Sequence, residues 1–231
     1  MRQLFPDAVD PIDPADVYVD RPVADGRPAL RLNMISSVDG STTVGGVSAR
    51  LGGAADKRVF KLLRSLADVV LVAAGTVRAE HYGPAAVPIA VVTRTVHLDW
   101  QSRFFTEADA RPIVVTTADA PSESVEHAAR VADVIVAGTG SVDFRRALAE
   151  LGARGYRNVL AEGGPTMNAG LASAGLLDEL CLTFSPKLVA GDADRILAGP
   201  ALPAPAELRL RSVLEEEGYL FLRYRTAPTV A

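Results

Sequence analysis

The sequence predicts an α/β fold: short β-branched runs recur along the chain, helical patterns lie between several of them, and no linker separates two cores. The strand-like runs occupy residues 29–34, 69–74, 89–93, 113–116, 134–137, 158–161 and 180–184. Residues 1–28 read as an extended arm ahead of a single domain at 29–231.

The elements follow in order. Between the first two runs, residues 56–67 place Val59, Phe60, Leu63 and Ala67 on one helical face. The run at 69–74 is the longest apolar stretch and leads into Gly75 and Thr76, whose hydroxyl can cap a helix start. Between the fifth and sixth runs, Phe144, Ala147, Leu148 and Leu151 form a second apolar face, which Ser141 or Asp143 can cap and Gly152 can end. Pro165 suits the first position of a helix reaching about residue 174, with Gly175 beyond its end. The Pro-rich stretch 199–205 reads as a surface connection, since proline cannot donate to a strand ladder. In the last strand, 218–226, Leu220, Leu222 and Tyr224 alternate with Phe221, Arg223 and Arg225, which predicts cover on two sides.

Composition bounds the chemistry. A chain of 231 residues, 48% of them hydrophobic, buries roughly 70% of its unfolded surface and needs no staples. Cys181 stands alone, so neither an intrachain disulfide nor a thiolate zinc site can form, and the expected compartment is the reducing cytoplasm. The net charge of -4, from 24 basic and 28 acidic residues with no basic cluster, argues against a nucleic-acid partner. No window approaches the roughly 18 consecutive apolar residues of a membrane helix, and the start carries Asp and Pro where an export signal would be apolar. His81, His97 and His127 lie in unrelated segments without metal-ligand spacing, so no metal is expected. No nucleophile elbow or Walker loop occurs.

Five segments can carry chemistry, and each also has a purely structural reading. Ser36, Ser37, Val38, Asp39 and Gly40 follow a strand, where a carboxylate would sit at the edge on which open α/β sheets bind ligands; the alternative is a Ser-Asp-Gly turn. Gly75 and Thr76 offer close backbone approach and a hydroxyl, or an ordinary capped helix. Glu162, Gly163, Gly164, Pro165 and Thr166 run from a strand into a helix whose free amides would bind phosphate, or make a tight turn. Thr93 and Arg94 could hold a further phosphate monoester, or form a solvated turn. Gly138, Thr139 and Gly140 fail as a dinucleotide fingerprint because Asp143 stands where the third glycine belongs.

Taken in order, residues 32–40, 56–64 with Ala67 and Asp68, 71–77, 158–168, 175–180 and 185–191 resemble the pyrimidine reductase domain of riboflavin biosynthesis. The resemblance implies a dihydrofolate reductase-like three-layer fold, a central mixed and mostly parallel sheet flanked by helices, binding NADPH and usually forming a homodimer. It implies reduction of 5-amino-6-(5-phosphoribosylamino)uracil to the ribitylamino product. On that basis Gly75, Thr76 and the segment Glu162, Gly163, Gly164, Pro165 and Thr166 would cradle the coenzyme, and Thr93 with Arg94 would hold its 2′-phosphate. Asp39 would be the catalytic acid or relay, with Asn33, Ser37 and Arg50 binding substrate. One departure stands out: after Gly75 and Thr76 the family continues to a substrate-binding arginine, whereas here residues 78–84 are followed by no arginine until Arg94. The zinc deaminase fused to many relatives is excluded by the single cysteine. A dihydrofolate or pterin reductase, or a non-catalytic NADPH-binding module, are the alternative readings.

Overall fold

A computed structural model describes residues 1–20 and 26–227. The strands are β1 (Arg2–Phe5), β2 (Ala29–Ser37), β3 (Val69–Ala73), β4 (Ile89–Val92), β5 (Ile113–Thr116), β6 (Asp133–Val136), β7 (Asn158–Ala161), β8 (Glu179–Ser185), β9 (Leu208–Glu216) and β10 (Tyr219–Thr226). They form one sheet in the order β1-β9-β10-β8-β2-β7-β3-β4-β5-β6. From β8 to β6 every pairing is parallel; β8-β10, β10-β9 and β9-β1 are antiparallel. Along β3, Val70 and Val72 point to one face while Val69 and Leu71 point to the other, and all four are fully buried. That double burial is why the parallel strands read as continuous apolar runs.

Helices cover both faces, giving the three-layer arrangement the resemblance implies. On one face lie α1 (Pro14–Tyr18), α2 (Ala54–Ser65), α3 (Ala74–Ala79), α4 (Arg103–Thr106) and α5 (Ser122–Val131), whose Tyr18, Val59, Leu63, Val77, Phe104 and Ala128 pack with Val70 and Val72. On the other lie α6 (Phe144–Ala153) and α7 (Pro165–Ser173), whose Leu148, Leu151 and Leu171 pack with Val69 and Leu71. Asp143 caps α6 by accepting from the Arg146 amide at 3.1 Å, and Gly175, at φ 65°, lies beyond the end of α7.

Several local expectations change. Gly152 does not end α6 but lies within it, where a Cβ would come within 3.0 Å of Pro28; the left-handed residue is Gly155, at φ 93°. Thr76 is the third residue of α3 and makes no capping bond, because the helix starts two residues earlier. The last strand buries Phe221 and Arg223, while the alternate register packs Tyr224 only partly against the second cluster. β9 alternates Leu208 and Leu210 with Arg209 and Arg211, and no β-branched run announces it.

The segment read as an arm, residues 1–28, contributes a strand and a helix; residues 21–25 lie outside the described residues. Its anchor is a buried charge cluster. The Glu179 carboxylate meets Arg31 Nε at 2.6 Å, Arg223 Nη2 at 2.8 Å and Arg225 Nε at 3.3 Å, the Arg31 contact being an ion pair rather than an aligned hydrogen bond. The Arg223 guanidinium also donates to the Val17 and Asp20 carbonyls, and Arg31 Nη2 reaches the Tyr18 carbonyl at 3.3 Å. Two side chains of the sheet thus satisfy the end of α1, where backbone carbonyls have no helical donor.

Candidate active site

The carboxyl ends of β2, β3 and β7 meet side by side, and a cavity of about 530 Å³ opens above them, a size suited to a small organic ligand. β2 contributes Asn33, Met34 and Ile35, the turn after β3 contributes Gly75 and Thr76, and the turn after β7 contributes Glu162, Gly163, Gly164 and Pro165.

The glycine wall is fixed by its backbone. The Glu162 amide donates to the Leu71 carbonyl at 3.0 Å, and the Ala73 amide donates to the Gly163 carbonyl at 2.7 Å. Gly163 sits at φ 92°, a conformation that side chains disfavour, and its peptide to Gly164 is cis. A Cβ on Gly164 would lie 3.0 Å from Thr76 Oγ1, whereas one on Gly75 would meet nothing within 4 Å. Pro165 opens α7, whose first bond is the Asn168 amide to the Gly164 carbonyl at 3.0 Å, so the Thr166 and Met167 amides have no helical acceptor.

The facing wall is α2, which turns Asp56, Phe60 and Arg64 toward the cavity at successive helical turns, with Lys57 beside them. Arg64 grips Glu162 through two bonds, of 2.8 and 2.7 Å, and the Tyr82 hydroxyl donates to the same carboxylate at 2.7 Å. The guanidinium lies 4.4 Å from the Phe60 ring centre and 5.1 Å from that of Tyr82. Burial, then the neighbouring Glu162 charge, pushes the Tyr82 phenol well above its ordinary value, so it stays protonated as a donor. Across the mouth, the Glu80 carboxylate accepts from the Ser48 amide at 2.6 Å and holds the short 3-10 turn Ser48–Arg50 in place. Burial raises the Asp56 carboxyl above its ordinary value, and the nearby Thr183 hydroxyl of β8 and the Lys57 charge oppose that rise.

The expected site residues divide. Asn33, Gly75, Thr76, Glu162, Gly163, Gly164 and Pro165 line the cavity together. Thr166 has an exposed side chain and offers only its amide to the start of α7. Thr93 is buried and its Oγ1 accepts from the Val96 amide at 3.1 Å, so its hydroxyl is engaged in a turn; Arg94 beside it is exposed beyond the end of β4. Arg50 does not line the cavity: its guanidinium lies against Gly45, and its carbonyl accepts from Lys187 Nζ at 2.6 Å.

Ser37 and Asp39 need correction. Ser37 is fully buried, donating to Asp39 at 2.5 Å and accepting from the Ser41 amide at 2.9 Å. Asp39 stands outside the cavity, where its carboxylate also accepts from the Val189 and Ala190 amides, the latter at 2.7 Å. The Ser37 hydroxyl first, then the Ala190 amide, holds its carboxyl down at about 2, so at neutral pH it has no proton to give. The residue pins the 185–191 loop to the end of β2. The sequence reading does not include Asp56, Lys57, Arg64 and Glu80; the available signal for two of them was that Asp56 and Arg64 flank Phe60 at i, i+4, i+8 on α2, whereas Lys57 and Glu80 carry no comparable mark.

Comparison with known proteins places this geometry. Residues 28–217 match the RibD C-terminal domain. The 2,5-diamino-6-ribosylamino-4(3H)-pyrimidinone 5′-phosphate reductase of Methanothermobacter thermautotrophicus is 29% identical over 192 residues, covering 78% of this chain and 88% of that protein. The enzyme of the same name from Aquifex aeolicus is 30% identical over 203 residues, covering 80% and 91%. Among solved structures, a pyrimidine reductase-like protein from Corynebacterium diphtheriae superposes with a TM-score of 0.77 at 26% identity, covering 87% of this chain and 92% of that one. RibD of Acinetobacter baumannii shares the fold, with a TM-score of 0.73 at 19% identity over 88% of this chain and 59% of its own.

Proposed function

The chain belongs to the RibD C-terminal domain family, and from that membership we propose that it is an NADPH-dependent reductase of a 6-ribosylaminopyrimidine 5′-phosphate. The observation that carries the reading is the cavity in which the glycine wall before α7 faces the Asp56, Phe60 and Arg64 face of α2.

The residues present fit a dinucleotide. Gly163 and Gly164 bring bare backbone to the cavity wall, Gly75 leaves open space where a side chain would stand, and the free amides at the start of α7 favour a diphosphate. Those groups, with Thr76, would hold the coenzyme, and Arg94 would meet its 2′-phosphate. When bound, the coenzyme supplies the hydride that reduces the ribosyl carbon of the substrate to the ribityl level. The chain's own part is alignment: the Arg64, Glu162 and Tyr82 network fixes the floor between the two ligands, so that neither can drift by the ångström that costs about 100-fold in rate. Lys57, which forms no ion pair among the described residues, would take the substrate phosphate in place of the absent arginine. The same reading makes the chain, β1 and α1 included, one catalytic domain and the protein a cytoplasmic homodimer.

Following the absorbance of reduced nicotinamide tests the reading. Oxidation of NADPH by the ribosylaminopyrimidine phosphates is expected; oxidation with dihydrofolate instead would overturn the substrate assignment, and oxidation with none would leave a binding module. Arg94→Ala should raise the KM for NADPH by roughly tenfold or more and leave that for NADH nearly unchanged, because only NADPH has the extra phosphate. Equal losses would remove Arg94 from that role.

A further inference from the structure

Four carboxylates line the cavity: Asp56, Glu80, Glu162 and Asp194. Glu162 is held by Arg64 and Tyr82, Glu80 by the Ser48 amide, and Asp194 is exposed to solvent. Asp56 differs from all three. It is half-buried and forms no ion pair among the described residues. The groups that favour its charged form are the nearby hydroxyl of the buried Thr183 and, after it, the Lys57 ammonium. It is also backed tightly, since a Cβ on Gly52 would fall 2.6 Å from Asp56 Oδ2. A carboxylate in that position has acceptor capacity that the protein does not use, in a place where water is partly excluded.

We propose that Asp56 reads the 2-amino edge of the pyrimidine and so selects a 2-amino-4-oxopyrimidine substrate over the corresponding uracil. The inference rests on the reductase reading above and decides a point that reading leaves open. An ionised carboxylate only accepts. The 2-amino group and the adjacent ring N–H of a 2-aminopyrimidin-4-one form two parallel donors, the same fork by which a guanidinium meets a carboxylate. Uracil keeps the ring N–H but replaces the amino group with a carbonyl, whose lone pairs would face the second carboxylate oxygen. Desolvation makes an unpaired acceptor pair costly, and a site built for two donors rejects an analogue that lacks one far more strongly than it would a change of size. The position suits a flat ring as well, because Phe60, one turn further along the same face of α2, presents its aromatic side chain to the cavity. Burial raises the Asp56 carboxyl, and two N–H donors are the partners that would return it to the charged form. Thr183 then acts as a positioning residue that aims the carboxylate.

The test is the ratio of kcat/KM for 2,5-diamino-6-ribosylamino-4(3H)-pyrimidinone 5′-phosphate over 5-amino-6-(5-phosphoribosylamino)uracil, measured with NADPH for the full chain and for Asp56→Asn. The native chain should favour the 2-amino substrate by at least about tenfold. Asp56→Asn should reduce that ratio by about tenfold or invert it, because a carboxamide places one donor and one acceptor where uracil offers the complementary pair. Calorimetric binding of NADPH, expected to be the same for both proteins, shows that the variant is folded. A native ratio near one or in favour of uracil overturns the proposal even if the variant does not fold, as does an unchanged ratio in a folded variant; the reductase reading survives both. If the native chain reduces neither compound, the reductase reading falls and takes this inference with it.

Discussion

Glu179→Ala is expected to lower the unfolding free energy by about 3–5 kcal/mol, the usual consequence of removing one partner from a buried charge cluster. Arg31 and Arg223 have side chains only 6% and 3% exposed, and Glu179 is fully buried, so the two guanidiniums would be left with backbone carbonyls alone and no counter-charge. The loss also releases the end of α1, which those guanidiniums hold. Urea unfolding followed by circular dichroism measures it, and because the cluster lies away from the cavity, turnover of the folded fraction should change little. A loss below about 1 kcal/mol would mean that the cluster is solvated in solution, which would contradict its burial here.

Glu162→Ala is expected to cost at least about 100-fold in kcat/KM, chiefly through position rather than through any chemical step. The carboxylate joins three elements: β7 carries it, α2 supplies Arg64 and the segment after α3 supplies Tyr82. Without it Arg64 becomes an unpaired cation in the cavity wall, free to swing toward the phosphate-bearing ligands. Glu162→Gln separates charge from shape: it can still accept from Tyr82 and should retain more activity than alanine. Steady-state kinetics of the two variants check the order, and equal activity of alanine and native protein would remove Glu162 from the floor of the site.

Most of the fold was legible because the parallel strands are buried on both faces, so Val69, Val70, Leu71 and Val72 announce themselves without reference to anything else in the chain. β1 and β9 were not, since β1 is the edge strand and in β9, next to it, Arg209 and Arg211 alternate with leucines and one face is solvated. The glycine wall was legible for a similar local reason: strand, paired glycines and proline are contiguous from Asn158 to Thr166. The facing α2 wall depends on meetings across the chain, such as Arg64 with Glu162, 98 residues apart, and Asp56 near Thr183 on a distant strand. Asp39 shows the opposite error. Its place after a strand pointed to the ligand edge, but the turn and the 185–191 loop consume its carboxylate.

Isothermal titration of the full chain with NADPH tests the central claim most directly. One site per chain is expected, competing with inorganic diphosphate and weakened by at least about tenfold in Gly163→Val, whose side chain would force the backbone out of its left-handed conformation at the glycine wall. Absence of NADPH binding by the native protein, or binding that is indifferent to both the diphosphate and the substitution, would contradict the assignment of this cavity to a nicotinamide coenzyme.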